Sequence, residues 1–234
     1  MLRALFSHLS RIRPTVELDP LTAYNLWAAN YPPEAHNPLM RAEETAMLDL
    51  LPADDLRGRR ALDLACGSGR YLRWLKASGA AVVVGLDLSA AMLAHARLMN
   101  LTLLQATMLA LPLATECFDL VVCGLAVGHT PDLAAALREM ARALRPGGLL
   151  VYSDFHPFGH FAGWKRGFRA NGRDYAVFHH LHLYADHHAA CLNAGLTIEA
   201  VREPFAVDDA ALFAAGHTAW GHRPVALVIR ARKS

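Results

Sequence analysis

Two acids and two glycines carry the first chemical signal in this 234-residue chain. The stretch LDLACGSGR, residues 62–70, reads as an apolar strand that ends in a tight turn and opens a helix. Gly67 and Gly69 let the backbone approach a ligand closely, and the following helix offers free N–H groups. Asp87 ends the next apolar run, AAVVVGLDL, where a carboxylate suits a two-point grip on ribose hydroxyls. The pattern points to an adenosine-type cofactor.

Asp63 narrows the choice. A carboxylate beside the loop repels a pyrophosphate and suits a cationic amino group. A dinucleotide fingerprint also wants a third glycine, where GSGRYL has Leu72. Both observations favour S-adenosylmethionine, which carries an ammonium and no phosphate, over NAD. An NAD-linked oxidoreductase is the weaker alternative, and a non-catalytic cofactor-binding protein is a third.

Histidines supply the remaining candidates. His129 follows the fourth strand of the pattern and His156 the fifth, both on the edge where parallel strands end and ligands bind. HHLHLYADHH crowds His179, His180, His182, His187 and His188 into ten residues. In an extended run His180 and His182 share one face and His179 takes the other, while adjacent His187 and His188 diverge on a helix. That does not gather three or four metal ligands, so no metal is expected. Methyl transfer needs a base only when the acceptor holds a proton, and then a histidine near neutrality is the natural one. The segment GWKRGFRANGRDY sets Arg166 among aromatics and further cations, which suits an anionic, partly apolar acceptor.

These residues must be positioned by a regular framework. From Arg60 onward strands and helices alternate: RALDLA, AAVVVGLDL, LTLLQA, FDLVVCGLA and LLVYSDF as strands, with helices between. DLAAALREMARALRPGG reads as a helix closed by Pro-Gly-Gly, and TIEAVREPF and PVALVIRAR are the last strands. The spacing implies a mostly parallel sheet covered on both faces. Residues 1–20 read as an N-terminal arm and 21–234 as one domain. LTAYNLWAANYPP is a short helix, Asn37 and Pro38 start another, and residues 156–185 break the rhythm as a lid.

The 23 Lys and Arg against 21 Asp and Glu give no basic field for nucleic acid. The longest apolar runs are too short to span a bilayer, and four scattered cysteines suit a reduced, cytoplasmic protein. The arm places Leu2, Leu5, Phe6, Leu9 and Ile12 at helical spacing and reads as packing on its own domain.

The sequence resembles the class I S-adenosylmethionine-dependent methyltransferases. It is similar in particular to the small-molecule group that includes ubiquinone/menaquinone and malonyl-carrier-protein methyltransferases. LDLACGSGR, VGLDLSAAML, the run from Leu109 to Leu133, LRPGGLLVYSDF and YNLWAANY carry the resemblance. Ala65 stands where glycine is commoner, Asn25 where aspartate is usual, and Thr107 where an adenine-holding aspartate is usual. The resemblance implies a doubly wound Rossmann-like α/β fold. Its seven-stranded sheet is mostly parallel, with one antiparallel strand near the edge, N-terminal helices and a lid.

The resemblance also implies a cofactor site and an acceptor site. Cofactor contacts are expected from Tyr24, Tyr31, Asp63, Ala65, Gly67, Gly69, Asp87, Leu88, Met92, Thr107, Met108 and Gly124. Catalytic candidates are His129, His156 and His182, and the acceptor would meet Tyr31, His129, His156, Arg166, His180 and His182. In that layout His182 is the histidine that approaches the acceptor, with His187 and His188 on the helix surface. The implied chemistry is methyl transfer from S-adenosylmethionine, leaving S-adenosylhomocysteine, to a small-molecule or carrier-bound acceptor. A monomer or homodimer is expected.

Overall fold

The computed structural model describes residues 15–52, 56–206 and 223–234. The expected helical arm, residues 2–12, lies outside them.

The chain opens with β1 (Val16–Leu18), then α1 (Pro20–Trp27) and α2 (Pro38–Leu50). Asn37 caps α2 as its sequence suggests, its Oδ1 accepting from the Met40 N–H at 2.9 Å, with Pro38 at the first helical position. The alternating part follows: β2 (Arg60–Leu64), α3 (Arg70–Ala77), β3 (Val82–Asp87), α4 (Ala90–Ala96), β4 (Thr102–Gln105), β5 (Phe118–Cys123), α5 (Leu133–Ala143) and β6 (Leu144–Phe155). Next come α6 (Pro157–Phe161), β7 (Arg166–Ala170), β8 (Arg173–Val177), α7 (Tyr184–Asn193), β9 (Leu196–Arg202) and β10 (Ala226–Lys233).

Seven strands form one sheet in the order β4-β3-β2-β5-β6-β10-β9. β4 through β6 are parallel, and β10 runs antiparallel between β6 and β9. The doubly wound sheet with one antiparallel strand next to its edge is the expected architecture. Strand periodicity of two sends Leu62 and Leu64 into the core under α5 and α7, and Ala61 into the core under α2, α3 and α4.

Two local expectations change. The helix before the fifth strand ends at Ala143, and Pro-Gly-Gly lies within β6, not at the helix end. Arg145 precedes a proline, which disfavours helical backbone, and Leu144 already pairs with Phe118. The lid segment also has more structure than an irregular loop. β7 and β8 form a hairpin joined by Asn171 and Gly172, both at positive φ, the two-residue turn that Asn-Gly favours. β1 adds to β8 in parallel, Val16 beside Tyr175 through Leu18 beside Val177.

This small sheet and α1 enclose a separate core, where Trp27 stacks on Phe168 with ring centres 4.8 Å apart. The result is a cap over the ends of the parallel strands. It is tied to the main sheet by Asn25, which accepts from the Ser89 hydroxyl at 2.6 Å, and by His95 against the Ala28 carbonyl at 2.7 Å.

Candidate active site

A cavity of about 310 Å³ lies under the cap, at the size where small-molecule sites begin. Its floor is the turn after β2. Ala65 and Gly67 sit at φ of +56° and +54°, and Gly69 at +87°. A left-handed Ala65 explains why glycine suits that position better. The turn is pinned to the end of β3. The Gly67 N–H donates to Asp87 Oδ2 at 2.8 Å, the Ser89 N–H donates to Asp87 Oδ1 at 2.8 Å, and the Cys66 N–H donates to the Leu86 carbonyl. Asp87 is thus aimed by two backbone donors at the cavity rim, where a ribose would meet it.

Asp63 projects from β2 beneath this turn and is almost fully buried. Its Oδ2 has no hydrogen-bond partner among the described residues. Burial pushes its carboxyl up to about 8, against the pull of nearby Arg70. An orphaned buried carboxylate facing a cavity is the partner an ammonium requires, and one a pyrophosphate would repel. The NAD alternative loses further ground at Leu72, which is fully buried core where a dinucleotide site needs glycine. The residues present therefore fit S-adenosylmethionine.

Most of the expected cofactor residues line this cavity: Tyr24, Tyr31, Asp63, Ala65, Gly67, Asp87, Leu88, Met92, Thr107, Met108 and Gly124. Gly69 does not. It faces Met99, whose methyl would overlap any side chain there, so its role is to start α3 in a left-handed conformation. The Thr107 hydroxyl is engaged with the Leu109 N–H at 3.2 Å and shapes the turn. Gly124 is required because a Cβ there would press on Tyr71 and Glu43.

Of the residues expected to meet the acceptor, Tyr31, His129 and Arg166 line the cavity. His129 Nε2 meets the Tyr24 hydroxyl at 3.1 Å. Arg166 reaches from β7, donating to the Leu125 carbonyl at 3.2 Å and the Tyr31 hydroxyl at 3.4 Å, with its guanidinium over the Tyr24 ring. No carboxylate pairs with it among the described residues.

The other three candidate histidines, His156, His180 and His182, lie outside the cavity lining. His156 caps α6, its Nδ1 accepting from the Phe158 N–H at 3.1 Å, and lies outside the cavity lining. His182 is buried behind the wall, its Nε2 2.9 Å from the Thr130 carbonyl. His180 packs edge-on against the exposed Phe178, also outside the lining. His187, expected on the helix surface, is fully buried because α7 turns it against Tyr152, 3.2 Å from that hydroxyl. His188 is exposed as expected.

The remaining histidine, His129, is also a poorer base than its type suggests. Burial first, then Arg166 and His179, push it down to about 3, so it stands neutral. Burial likewise raises the Tyr24 phenol well above its usual range.

Residues that sequence reasoning passed over complete the site. Glu43, fully buried on α2, accepts from Arg70 at 2.7 Å, Tyr71 at 2.9 Å and Ser153 at 2.6 Å. Ser153 in turn accepts from the Leu125 N–H at 2.8 Å, so one carboxylate organises the wall. Asp154, at the end of β6, lies between His179 at 2.9 Å and His187 at 3.5 Å. Burial pushes the Asp154 carboxyl up, but the two imidazoles hold it well below the usual range. A lone acid in a helix or a strand gives no sequence signal for either arrangement. Among the described residues no group of three or more His, Cys, Asp or Glu could hold a metal ion, and no helix is long and apolar enough to cross a membrane.

The comparisons with known proteins bear on the family of the chain. A profile of the family described as "Methyltransferase domain" matches residues 62–152, from the end of β2 through most of β6. A malonyl-acyl-carrier-protein O-methyltransferase of Enterobacter lignolyticus is 42% identical over 122 residues, 51% of this chain and 47% of that protein. A demethylmenaquinone methyltransferase of Corynebacterium kroppenstedtii is 39% identical over 102 residues, 44% of each. The chain thus spans about half the length, or less, of these curated relatives. The crystal structure of an S-adenosylmethionine-dependent methyltransferase from Mesorhizobium loti matches more completely. It has 31% identity and a TM-score of 0.66, and the match covers 82% of this chain and 98% of that one. On this match, the chain belongs to the family of S-adenosylmethionine-dependent methyltransferases.

Proposed function

We propose that this protein transfers a methyl group from S-adenosylmethionine to an acceptor already anionic at neutral pH, a carboxylate in the first instance. The observation that carries the reading is Arg166, a guanidinium at the cavity wall with neutral partners only. A half-buried cation there without a counter-ion is completed by an anionic ligand. The absence of a competent base among the residues described in the cavity supports the same class. His129 is held neutral, Tyr24 holds its proton, and His156 and His182 are turned elsewhere. A carboxylate needs no proton removed before it attacks.

Bound in this cavity, S-adenosylmethionine would supply an electrophilic methyl on a sulfonium. The protein's part is binding and alignment. Asp63 would take the ammonium and Asp87 the ribose hydroxyls, while Leu88, Met108 and Met92 give apolar walls. Arg166 and Tyr31 would fix the acceptor's charge, and the cap would keep water out. The relatives named malonyl-acyl-carrier-protein O-methyltransferase make a malonyl thioester the acceptor to try first, small or carrier-bound. Those named demethylmenaquinone methyltransferase make a demethylmenaquinone, tried in its naphthoquinol form, the second.

The test is incubation with deuteromethyl S-adenosylmethionine and a malonyl thioester, a naphthoquinol and a primary amine, read by mass spectrometry. A labelled methyl ester on the carboxylate is expected. Labelling of the amine alone would remove the anionic-acceptor reading. Tight cofactor binding with no product from any acceptor would favour a non-catalytic binding protein.

A further inference from the structure

The histidine stretch has a use that neither the cavity lining nor the cofactor site accounts for. His179 leaves β8 and crosses the turn Val127–His129 that carries the cavity histidine. Its Nε2 lies 2.9 Å from Asp154 Oδ1. The two side chains meet directly over Gly128: a Cβ on Gly128 would overlap the His179 ring and lie 2.6 Å from Asp154 Oδ1. The absence of a side chain at that position is what lets the pair form. Asp154 Oδ1 accepts a hydrogen bond from the Phe155 N–H at 2.7 Å, which holds the carboxylate in place.

The segment around His179 then grips the turn at successive points. The His180 N–H donates to the Gly128 carbonyl at 2.7 Å, and His182 Nε2 lies 2.9 Å from the Thr130 carbonyl. The His179 ring packs edge-on against the His129 ring with centres 5.6 Å apart, on the side away from Tyr24, and His129 Nδ1 has no hydrogen-bond partner among the described residues. His129 is therefore enclosed by Tyr24 on the cavity side and by His179 behind.

We infer that Asp154 and His179 are positioning residues for His129. They pin residues 178–180 over Gly128, hold the His129 ring in one orientation by packing behind it, and so present its Nε2 to the Tyr24 hydroxyl at the cavity wall. Locking a side chain's rotamer by the packing of a neighbour is how site residues are held in place generally. Neither residue touches the cavity, and their effect passes through His129. The inference takes its purpose from the proposed methyl transfer, but the ring geometry can be read without turnover.

The experiment is long-range proton–nitrogen NMR of the His129 ring in the full chain with S-adenosylhomocysteine added, in wild type, His179→Gln and Asp154→Asn. Wild type is expected to give one well-separated pair of nitrogen signals, one N–H and one lone-pair type. In both variants the two signals should move toward their mean as the tautomers mix. Tyr24→Phe should shift the His129 signals in the wild-type background and leave them nearly unmoved in the His179→Gln background. His188→Gln, on the exposed face of α7, should change nothing.

Thermal melts report whether each variant is folded, and Asp154→Asn, nearly isosteric, carries the test if His179→Gln does not fold. Unshifted His129 nitrogens in the folded variants, or already averaged nitrogens in wild type, would overturn the inference. Shifted nitrogens together with no methyl transfer to any acceptor would leave it standing and remove the functional reading instead.

Discussion

The Tyr24 hydroxyl meets His129 Nε2 at 3.1 Å across 105 residues of chain, and this bond joins the cap to the turn after β5. It is half-buried, and its removal from water keeps both partners neutral. Tyr24→Phe keeps the ring under Arg166 and removes only the hydroxyl, leaving Nε2 without its partner. Such an orphaned group costs about 1–3 kcal/mol, roughly tenfold to a hundredfold in an equilibrium or rate constant. We expect kcat/KM for the malonyl thioester to fall within that range while cofactor affinity changes little. Equal losses of cofactor and acceptor affinity would show that the bond holds the whole cap and not the acceptor wall.

Asp63 makes a prediction about pH. Its carboxyl is raised to about 8 in the folded protein, above the unfolded value of about 4. Below pH about 4 both states hold the proton and the group's stabilising contribution is fully present. As pH rises toward 8 the unfolded carboxyl ionises freely and the folded one cannot, so the contribution is progressively lost. The melting temperature of the cofactor-free protein should therefore fall between pH 5 and pH about 9, and Asp63→Asn should flatten that fall. Cofactor affinity should move the opposite way, rising up to about pH 8 as Asp63 ionises to meet the ammonium. Calorimetry in buffers of different ionisation heat should show a proton released on binding. A buffer-independent heat at pH 7 would contradict the assignment.

Arg166 separates acceptor binding from cofactor binding. Arg166→Gln removes the charge and keeps a polar side chain. Losing a charge-assisted contact costs about 1.5–3 kcal/mol, or roughly ten- to a hundredfold in KM for an anionic acceptor. The affinity for S-adenosylhomocysteine, measured by calorimetry, should change by less than about threefold. Arg166→Lys should recover part of the loss, since it restores charge but not the planar fork that also reaches Leu125 and Tyr31. An unchanged KM in Arg166→Gln would leave the anionic-acceptor reading without its main support.

How far the sequence could see follows from the range of its signals. The parallel sheet, the glycine turn, Asp63 and Asp87 were legible because each sits in a local pattern of strand, turn and helix. The β7–β8 hairpin was also written locally, in Asn171-Gly172, and was passed over because a lid was expected there. The histidines were not legible in this way. A strand exit alternates faces, so which of His179, His180 and His182 turns toward β6 depends on how the cap is seated. That seating rests on β1 joining β8, a contact between the two ends of the cap. His129 shows a second limit. Its place after β5 was legible, but its loss of basicity comes from burial beneath Arg166 and beside His179, which no local pattern records.

Glu43 gives the strongest stability prediction. It is fully buried and satisfied by Arg70, Tyr71 and Ser153, and through Ser153 it fixes the Leu125 N–H at the cavity wall. Arg70 keeps a second, longer contact to the more exposed Glu44 at 3.5 Å, too weak to replace it. Glu43→Ala removes the acceptor of three donors and strands a mostly buried guanidinium, a change that typically costs about 3–5 kcal/mol. Glu43→Gln keeps an acceptor for Tyr71 and Ser153 and should cost less. Urea denaturation should show the midpoint falling in the order wild type, Gln, Ala with the slope unchanged. Because Arg70, Tyr71, Gly124 and Leu125 all line the cavity, the same order should hold for cofactor affinity. A Glu43→Ala protein as stable as wild type would mean that the three donors find other partners, and the wall would then owe its shape to the packing of Tyr71 against Gly124.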